Sequence, residues 1–249
     1  MHDARDRLIV ALDVPTSAEA HQIVASVGES ASIYKVGKQL FTAEGPQVVR
    51  DLVASGREVF LDLKFHDIPN TVAAAVRAAA ALNVRMLTVH ASGGLKMLKA
   101  AVEAAKDPQL ATRNSQLVVL AVTVLTSLND SDLQEIGVSG RVLDHTLRLA
   151  ALARTAECDG IVCSAREVRE LSRELGAGFV IVTPGIRPAG ATKGDQERIM
   201  TPSEAIAAGA SHIVVGRPIT AAPDPSAAAR RILDEIASAC SAEAQGTRP

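Results

Sequence analysis

Four charged residues stand in or at the ends of runs that are otherwise apolar. Asp13 closes Leu8-Ile-Val-Ala-Leu-Asp13, Lys35 lies within Ser32-Ile-Tyr-Lys-Val-Gly37, and Asp62 and Lys64 close Glu58-Val-Phe-Leu-Asp-Leu-Lys64. Side chains alternate along a strand with a period of two, so Asp62 and Lys64 face one way and Leu61 and Leu63 the other. Lys35 is set against Tyr34 and Val36 in the same manner. Burying charge is costly unless the charges pair, and two lysines alternating with two aspartates meet that condition. A salt-bridged plug without chemistry is the plain alternative. Four charges on three neighbouring strands, all at one end, favour a reaction site.

A second set of residues suits phosphate. Residues 183–190 read Thr-Pro-Gly-Ile-Arg-Pro-Ala-Gly, and residues 216–219 read Gly-Arg-Pro-Ile. Gly185 and Gly216 let backbone N–H groups approach an anion, and Arg187 or Arg217 can clamp it. One Gly-Arg pair is a weak signal, whereas two in successive loops are more specific. His66 and His90 could ligate a metal with Asp62 or Asp67, but such histidines more often belong to a hydrogen-bonded polar floor, and no metal site is expected. Glu157 and Asp159 read as a solvated turn, and Met86, Met97 and Met200 as packing.

Eight short apolar runs carry these groups. Besides the three above they are 85–90, 117–123, 160–163, 179–183 and 212–216. Each has the length of a buried parallel strand. Helical patterns alternate with them at 17–27, 70–82, 92–106, 139–156 (the longest), 165–175, 202–208 and 227–239. Thr16-Ser17 offers N-cap chemistry to the first, and Pro69 sits at the start of the second, where proline is tolerated. Eight strand-then-helix units in unbroken order predict an α/β fold, a single (β/α)8 TIM barrel over residues 1–240, with 241–249 a disordered tail. A doubly wound open sheet would show a Gly-rich turn after its first strand, and Asp13-Val-Pro-Thr16 has no glycine. Catalytic groups of a barrel sit at the C-terminal ends of its strands, and phosphate is often held after strands seven and eight. Both sets of residues fall there.

Composition removes several function classes. A net charge of −2 does not draw a polyanion over a broad surface, and one Tyr, no Trp and four Phe cannot build a base-stacking platform, so no nucleic-acid partner is expected. Cys158, Cys163 and Cys240 lack metal or redox spacing. No apolar run nears the ~20 residues that span a bilayer, and Met1–Arg7 lacks a signal peptide's apolar stretch. No membrane partner is expected, and the cytoplasm is the default location.

With these residues in hand, the chain resembles the bacterial orotidine 5'-monophosphate decarboxylase family along essentially its whole length. The densest match is Asp62-Leu-Lys-Phe-His-Asp-Ile-Pro-Asn-Thr71. Leu12-Asp-Val-Pro15, Lys35-Val-Gly37, Val89-His-Ala-Ser92, Val124-Leu-Thr-Ser127, Pro184-Gly-Ile-Arg187, Gly194-Asp-Gln196 and Val215-Gly-Arg-Pro218 follow in the family's order. The resemblance implies cofactor-free conversion of orotidine 5'-monophosphate to UMP and CO2, the last step of de novo UMP biosynthesis.

It also implies roles. Lys64 resembles the proton donor: it stabilises and then protonates the anion left at C6 of the pyrimidine. Opposite charges beside it favour the ammonium, an acid rather than a Schiff-base nucleophile. Asp62 resembles the carboxylate that holds Lys64 near the substrate carboxylate. Lys35 and Asp13 resemble the ribose-binding pair, with Lys35 completing the charge array. Asp67 resembles the second catalytic carboxylate of the network, which with Ile68 reaches the partner subunit's site in a homodimer, and Thr71 ends the same motif as a substrate contact. Thr126, or its neighbour Ser127, resembles the contact to the base. Gln196 resembles the bridge between pyrimidine and phosphate, and Gly216, Arg217 and Arg187 the phosphate anchor. Phosphate binding would close the segment from Arg187 to Gln196, with its Gly190 and Gly194, over the site. Two alternatives stand beside this. A Mg2+-dependent 3-keto-L-gulonate 6-phosphate decarboxylase or hexulose-phosphate synthase shares Asp62, Lys64 and Asp67, and chelator sensitivity would reveal it. A non-catalytic nucleotide-binding barrel would be marked by loss of Lys64 or Asp62, and both are present.

Overall fold

Each of the eight apolar runs forms a strand: β1 (Leu8–Ala11), β2 (Ile33–Gly37), β3 (Glu58–Phe65), β4 (Met86–His90), β5 (Val118–Val122), β6 (Gly160–Val162), β7 (Val180–Thr183) and β8 (His212–Val215). The computed structural model describes residues 4–107, 117–176, 178–188 and 200–244, with side chains to residue 241. Every strand pairs in parallel with the next, and β1 pairs with β8 through Leu8 and Ile213, Ile9 and Val214, and Val10 and Val215, so the sheet closes into the expected barrel. An open doubly wound sheet is excluded.

The continuous apolar runs follow from burial on both faces. Ile9, Ile33, Phe60, Met86, Leu120, Val182 and Val214 pack together inside the barrel. Their neighbours of opposite parity, such as Val10, Tyr34, Leu61 and Leu87, join the larger cluster between strands and helices. Each such side chain contributes about 1.5–3 kcal/mol on leaving water.

The outer ring comprises α1 (Ala4–Arg7), α2 (Ser17–Val27), α3 (Lys38–Glu44), α4 (Gln47–Ala54), α5 (Pro69–Ala80), α6 (Gly94–Ala105), α7 (Asp130–Glu135), α8 (Val142–Thr155), α9 (Val168–Leu175), α10 (Pro202–Ala207), α11 (Arg217–Thr220) and α12 (Pro225–Ala244). The Thr16 hydroxyl caps α2 by accepting the Glu19 N–H, and Pro69 occupies the first turn of α5, where it forfeits no helical hydrogen bond. Among the described residues no helix is long and apolar enough to cross a membrane.

Four expectations need correction. The segment 139–156 is not the longest helix. Gly137 and Gly140 take φ of 82° and 99°, which a helix excludes, so α8 starts at Val142, and α12 is longer at 20 residues. That last helix runs past Ser241 to Ala244, while residues 245–249 of the expected tail lie outside the described residues. Asp159 is not in a solvated turn: it is half-buried, its carboxylate accepts the Val119 N–H at 2.8 Å, and burial raises its pKa. Glu157 is exposed beside Lys106.

The fourth correction bears on the site. β3 does not alternate without interruption. Leu61 lies opposite Leu87 but Phe65 lies opposite Val89, so four steps of β3 match two of β4, and within this bulge Lys64 takes a φ of 53°. Bulges re-aim side chains at strand ends. Asp62 and Lys64 do point to the same place, but through this turn of the backbone rather than through a straight pleat.

Candidate active site

The four charged residues converge at the C-terminal mouth of the barrel. Lys35 Nζ donates to Asp13 Oδ1 at 2.7 Å and stands 4.0 Å from Asp62 Oδ2. Lys64 Nζ lies 2.8 Å from both carboxylate oxygens of Asp62. The result is a ladder of alternating sign, Asp13–Lys35–Asp62–Lys64, with no net charge. Its centre is the drier part: the side chains of Lys35 and Asp62 are 11% and 14% exposed, against 61% for Asp13. Neutral pairing is what makes this burial tolerable.

Local backbone features hold the ladder. Gly37, at the end of β2, leaves the pair its space, since a Cβ there would crowd Lys35 Nζ at 3.0 Å and Asp13 Oδ1 at 3.3 Å. Thr88 in β4 is fully buried. Its Oγ1 accepts the Lys64 backbone N–H at 2.9 Å and donates to Asp62 Oδ1 at 2.9 Å. Neither role was drawn from the sequence. The available signal for Thr88 was a lone hydroxyl in Met86-Leu-Thr-Val-His90, on the same parity as the interior residue Met86.

The ladder forms one wall of a cavity of about 590 Å3, a size that suits a nucleotide-scale ligand. Phe60, Val122, Val162 and Val214 supply an apolar floor. Thr126 and Ser127 both line the cavity beyond β5, so the sequence's open choice between them stays open. Cys163 also borders it, but it is fully buried, and burial pushes its thiol pKa well up, which makes it a packing residue.

The same cavity is lined from the ends of β7 and β8 by Gly185, Arg187, Gly216 and Arg217. Gly185 has a φ of 80°, a left-handed conformation that favours glycine. Gly216 sits against β1, where an added Cβ would lie 3.6 Å from Ala11 Cβ and 3.9 Å from Asp13 Oδ2. Arg187 is buried, its Nε makes no hydrogen bond among the described residues, and burial followed by the nearby Arg217 lowers its pKa. A buried donor with a second guanidinium nearby suits an anion. The Ile186 and Met200 backbones pair, and the Arg187 N–H reaches the Met200 carbonyl at 3.0 Å, tying together the two ends of the segment between them. Gln196, Gly190 and Gly194 lie outside the described residues.

Asp67, Ile68 and Thr71 are not brought into this cavity. All three are exposed, Ile68 at 66%, and Asp67 Oδ1 accepts the Ile68 N–H. His66 and His90 stack with centroids 5.3 Å apart, and His90 Nδ1 lies 2.7 Å from Ser92 Oγ. Burial first, then His66, Lys64 and Lys38, brings the His90 pKa down to about 4.

Comparison with known proteins agrees with this geometry. A family model described as "Orotidine 5'-phosphate decarboxylase / HUMPS family" matches residues 6–232. The chain is 54% identical to an orotidine 5'-phosphate decarboxylase of Halorhodospira halophila, over 94% of this chain and 97% of that one. It is 53% identical to that of Moorella thermoacetica, over 95% and 94%. Among solved structures, an orotidine 5'-phosphate decarboxylase from Lactobacillus acidophilus superposes with a TM-score of 0.82 at 40% identity, covering 92% of this chain and 98% of that one.

Proposed function

Since the chain belongs to the orotidine 5'-phosphate decarboxylase / HUMPS family, we propose that it decarboxylates orotidine 5'-monophosphate to UMP in pyrimidine biosynthesis. The observation that carries this reading is the alternating ladder ending at Lys64, 2.8 Å from both oxygens of Asp62. The Mg2+-dependent alternative is not favoured, because the relatives at 52–54% identity bear the orotidine 5'-phosphate decarboxylase name.

The reaction breaks the bond between C6 and the carboxyl carbon. The carboxylate leaves as CO2, and the bonding electron pair stays on C6. No cofactor is called for if a cation waits at that carbon. Lys64 meets the need: its ammonium stabilises the developing charge and then gives C6 a proton, and a proton from solvent later restores the ammonium. Asp62 holds the ammonium in one position, so little reorganisation is required as charge develops. Asp62 also faces the substrate carboxylate. Lys35 and Asp13, already bonded at 2.7 Å, take the ribose hydroxyls. Thr126 or Ser127 contacts the base, and the apolar floor excludes water beneath the ring. Arg187, Arg217 and the Gly216 backbone bind the phosphate, and Gln196 bridges phosphate and base. Binding energy gained at the phosphate can then be used far from the reacting carbon to hold the closed site.

The assay is loss of the orotate chromophore on mixing substrate with purified protein in the presence of chelator, beside a Lys64→Ala control. Rapid loss with UMP as product, absent in the control, is expected. No change with folded wild-type protein would overturn the assignment.

The proposal extends to a homodimer located in the cytoplasm. Asp67, Ile68 and Thr71 are exposed and outside their own chain's cavity, which suits residues that complete a partner's site. Mixing inactive Lys64→Ala with inactive Asp67→Ala should regenerate one intact site per mixed dimer. Proven subunit exchange without recovered activity would refute the shared site.

A further inference from the structure

Thr88 joins the two halves of the Lys64–Asp62 pair through a single atom. A threonine hydroxyl has one hydrogen to give and two lone pairs to accept with. Here Oγ1 accepts the backbone N–H of Lys64 and donates its hydrogen to Asp62 Oδ1, both at 2.9 Å. The first bond holds the bulge of β3, where Lys64 adopts a φ of 53° that side-chain-bearing residues rarely take. The second fixes the rotation of the Asp62 carboxylate, leaving Oδ2 toward Lys35. Thr88 is fully buried below the pair and does not line the cavity, so it has no route to substrate.

We propose that Thr88 is a positioning residue for the decarboxylation: its hydroxyl locks the Lys64 backbone and the Asp62 carboxylate into one geometry, which aims the ammonium at the reacting carbon. The proposal rests on the decarboxylase reading above. Removing the hydroxyl while keeping the volume leaves the Lys64 N–H without its acceptor and the carboxylate free to turn. Misplacement of a catalytic group on that scale costs roughly 100-fold in rate. The proposed phosphate contacts come from the ends of β7 and β8, not from β4, so substrate binding should be little affected.

The experiment compares Thr88→Val, isosteric without a hydroxyl, with Thr88→Ser, which keeps the hydroxyl and loses the methyl. Two measurements are made: kcat and KM on orotidine 5'-monophosphate, and hydrogen–deuterium exchange of the peptide carrying the Lys64 amide. Thr88→Val should lose kcat roughly 100-fold with KM nearly unchanged, and exchange at Lys64 should quicken. Thr88→Ser should restore most of both. A packing role predicts the reverse order, with serine worse than valine. Wild-type kcat and wild-type amide protection in Thr88→Val would overturn the proposal. If wild-type protein fails to turn over the substrate, the decarboxylase reading falls, while the exchange data still decide whether Thr88 holds Lys64.

Discussion

The two walls of the cavity are built on opposite principles. On the β1–β4 side every charge already has a partner: Asp13 with Lys35, Asp62 with Lys64, and Thr88 beneath them. On the β7–β8 side the buried Nε of Arg187 has none among the described residues, and Arg217 adds a like charge nearby. The first wall is satisfied before substrate arrives and so keeps its geometry. On the proposed reading, the second receives the substrate's phosphate. A preorganised wall is suited to a transition state, and an unsatisfied one to binding a ligand.

The comparison can be broken by experiment. The largest effect is expected on the satisfied wall: Lys64→Ala should lower kcat by at least about 10⁴-fold in the chromophore assay, since acid and electrostatic contributions vanish together. Arg217→Ala should lower kcat/KM roughly 100-fold, the scale of lost charge-assisted bonds to phosphate. The same substitution should leave turnover of orotidine, which lacks the phosphate, unchanged. An equal loss on both substrates would mean that the two walls do not divide the work in this way. Gly37→Ala is milder. The new Cβ would sit 3.0 Å from Lys35 Nζ, the far end of a flexible side chain that can shift, and a fall in kcat/KM of about tenfold is expected.

The smallest effect concerns stability. His90 has a folded pKa of about 4 against an ordinary value of about 6.5 in the unfolded chain. Between those values the unfolded state binds more protons, so stability falls as pH drops through that window and gains nothing further above it. Thermal unfolding temperature should therefore decline from about pH 6.5 toward pH 4, and His90→Gln should flatten the decline. An unchanged slope in the variant would remove His90 from the account.

Legibility in the sequence followed the strength of the physical signal. The eight strands were readable because parallel strands buried on both faces leave apolar runs such as Leu8–Ala11 and Val118–Val122. The helices α3 and α4 were not, because Gly45-Pro46 interrupts their pattern and each is short. The meeting of Asp62 and Lys64 was anticipated from simple alternation, yet the backbone achieves it through a bulge, which a periodicity argument cannot see. Thr88 was passed over because one hydroxyl in an apolar strand looks incidental until its two partners are known. Asp67 and Ile68 were singled out only through family resemblance; they do not line the cavity of their own chain.

The closure of β1 against β8 has a consequence for the order in which a nascent chain becomes functional. Asp13 and the first lysine leave the ribosome early, but Gly216 and Arg217 arrive only with the last strand, and Leu8 cannot find Ile213 until then. Contacts so distant in sequence form slowly, because a long loop must close before they reward it. A chain cut short before β8 therefore lacks both the seam and the part of the cavity lined by Gly216 and Arg217.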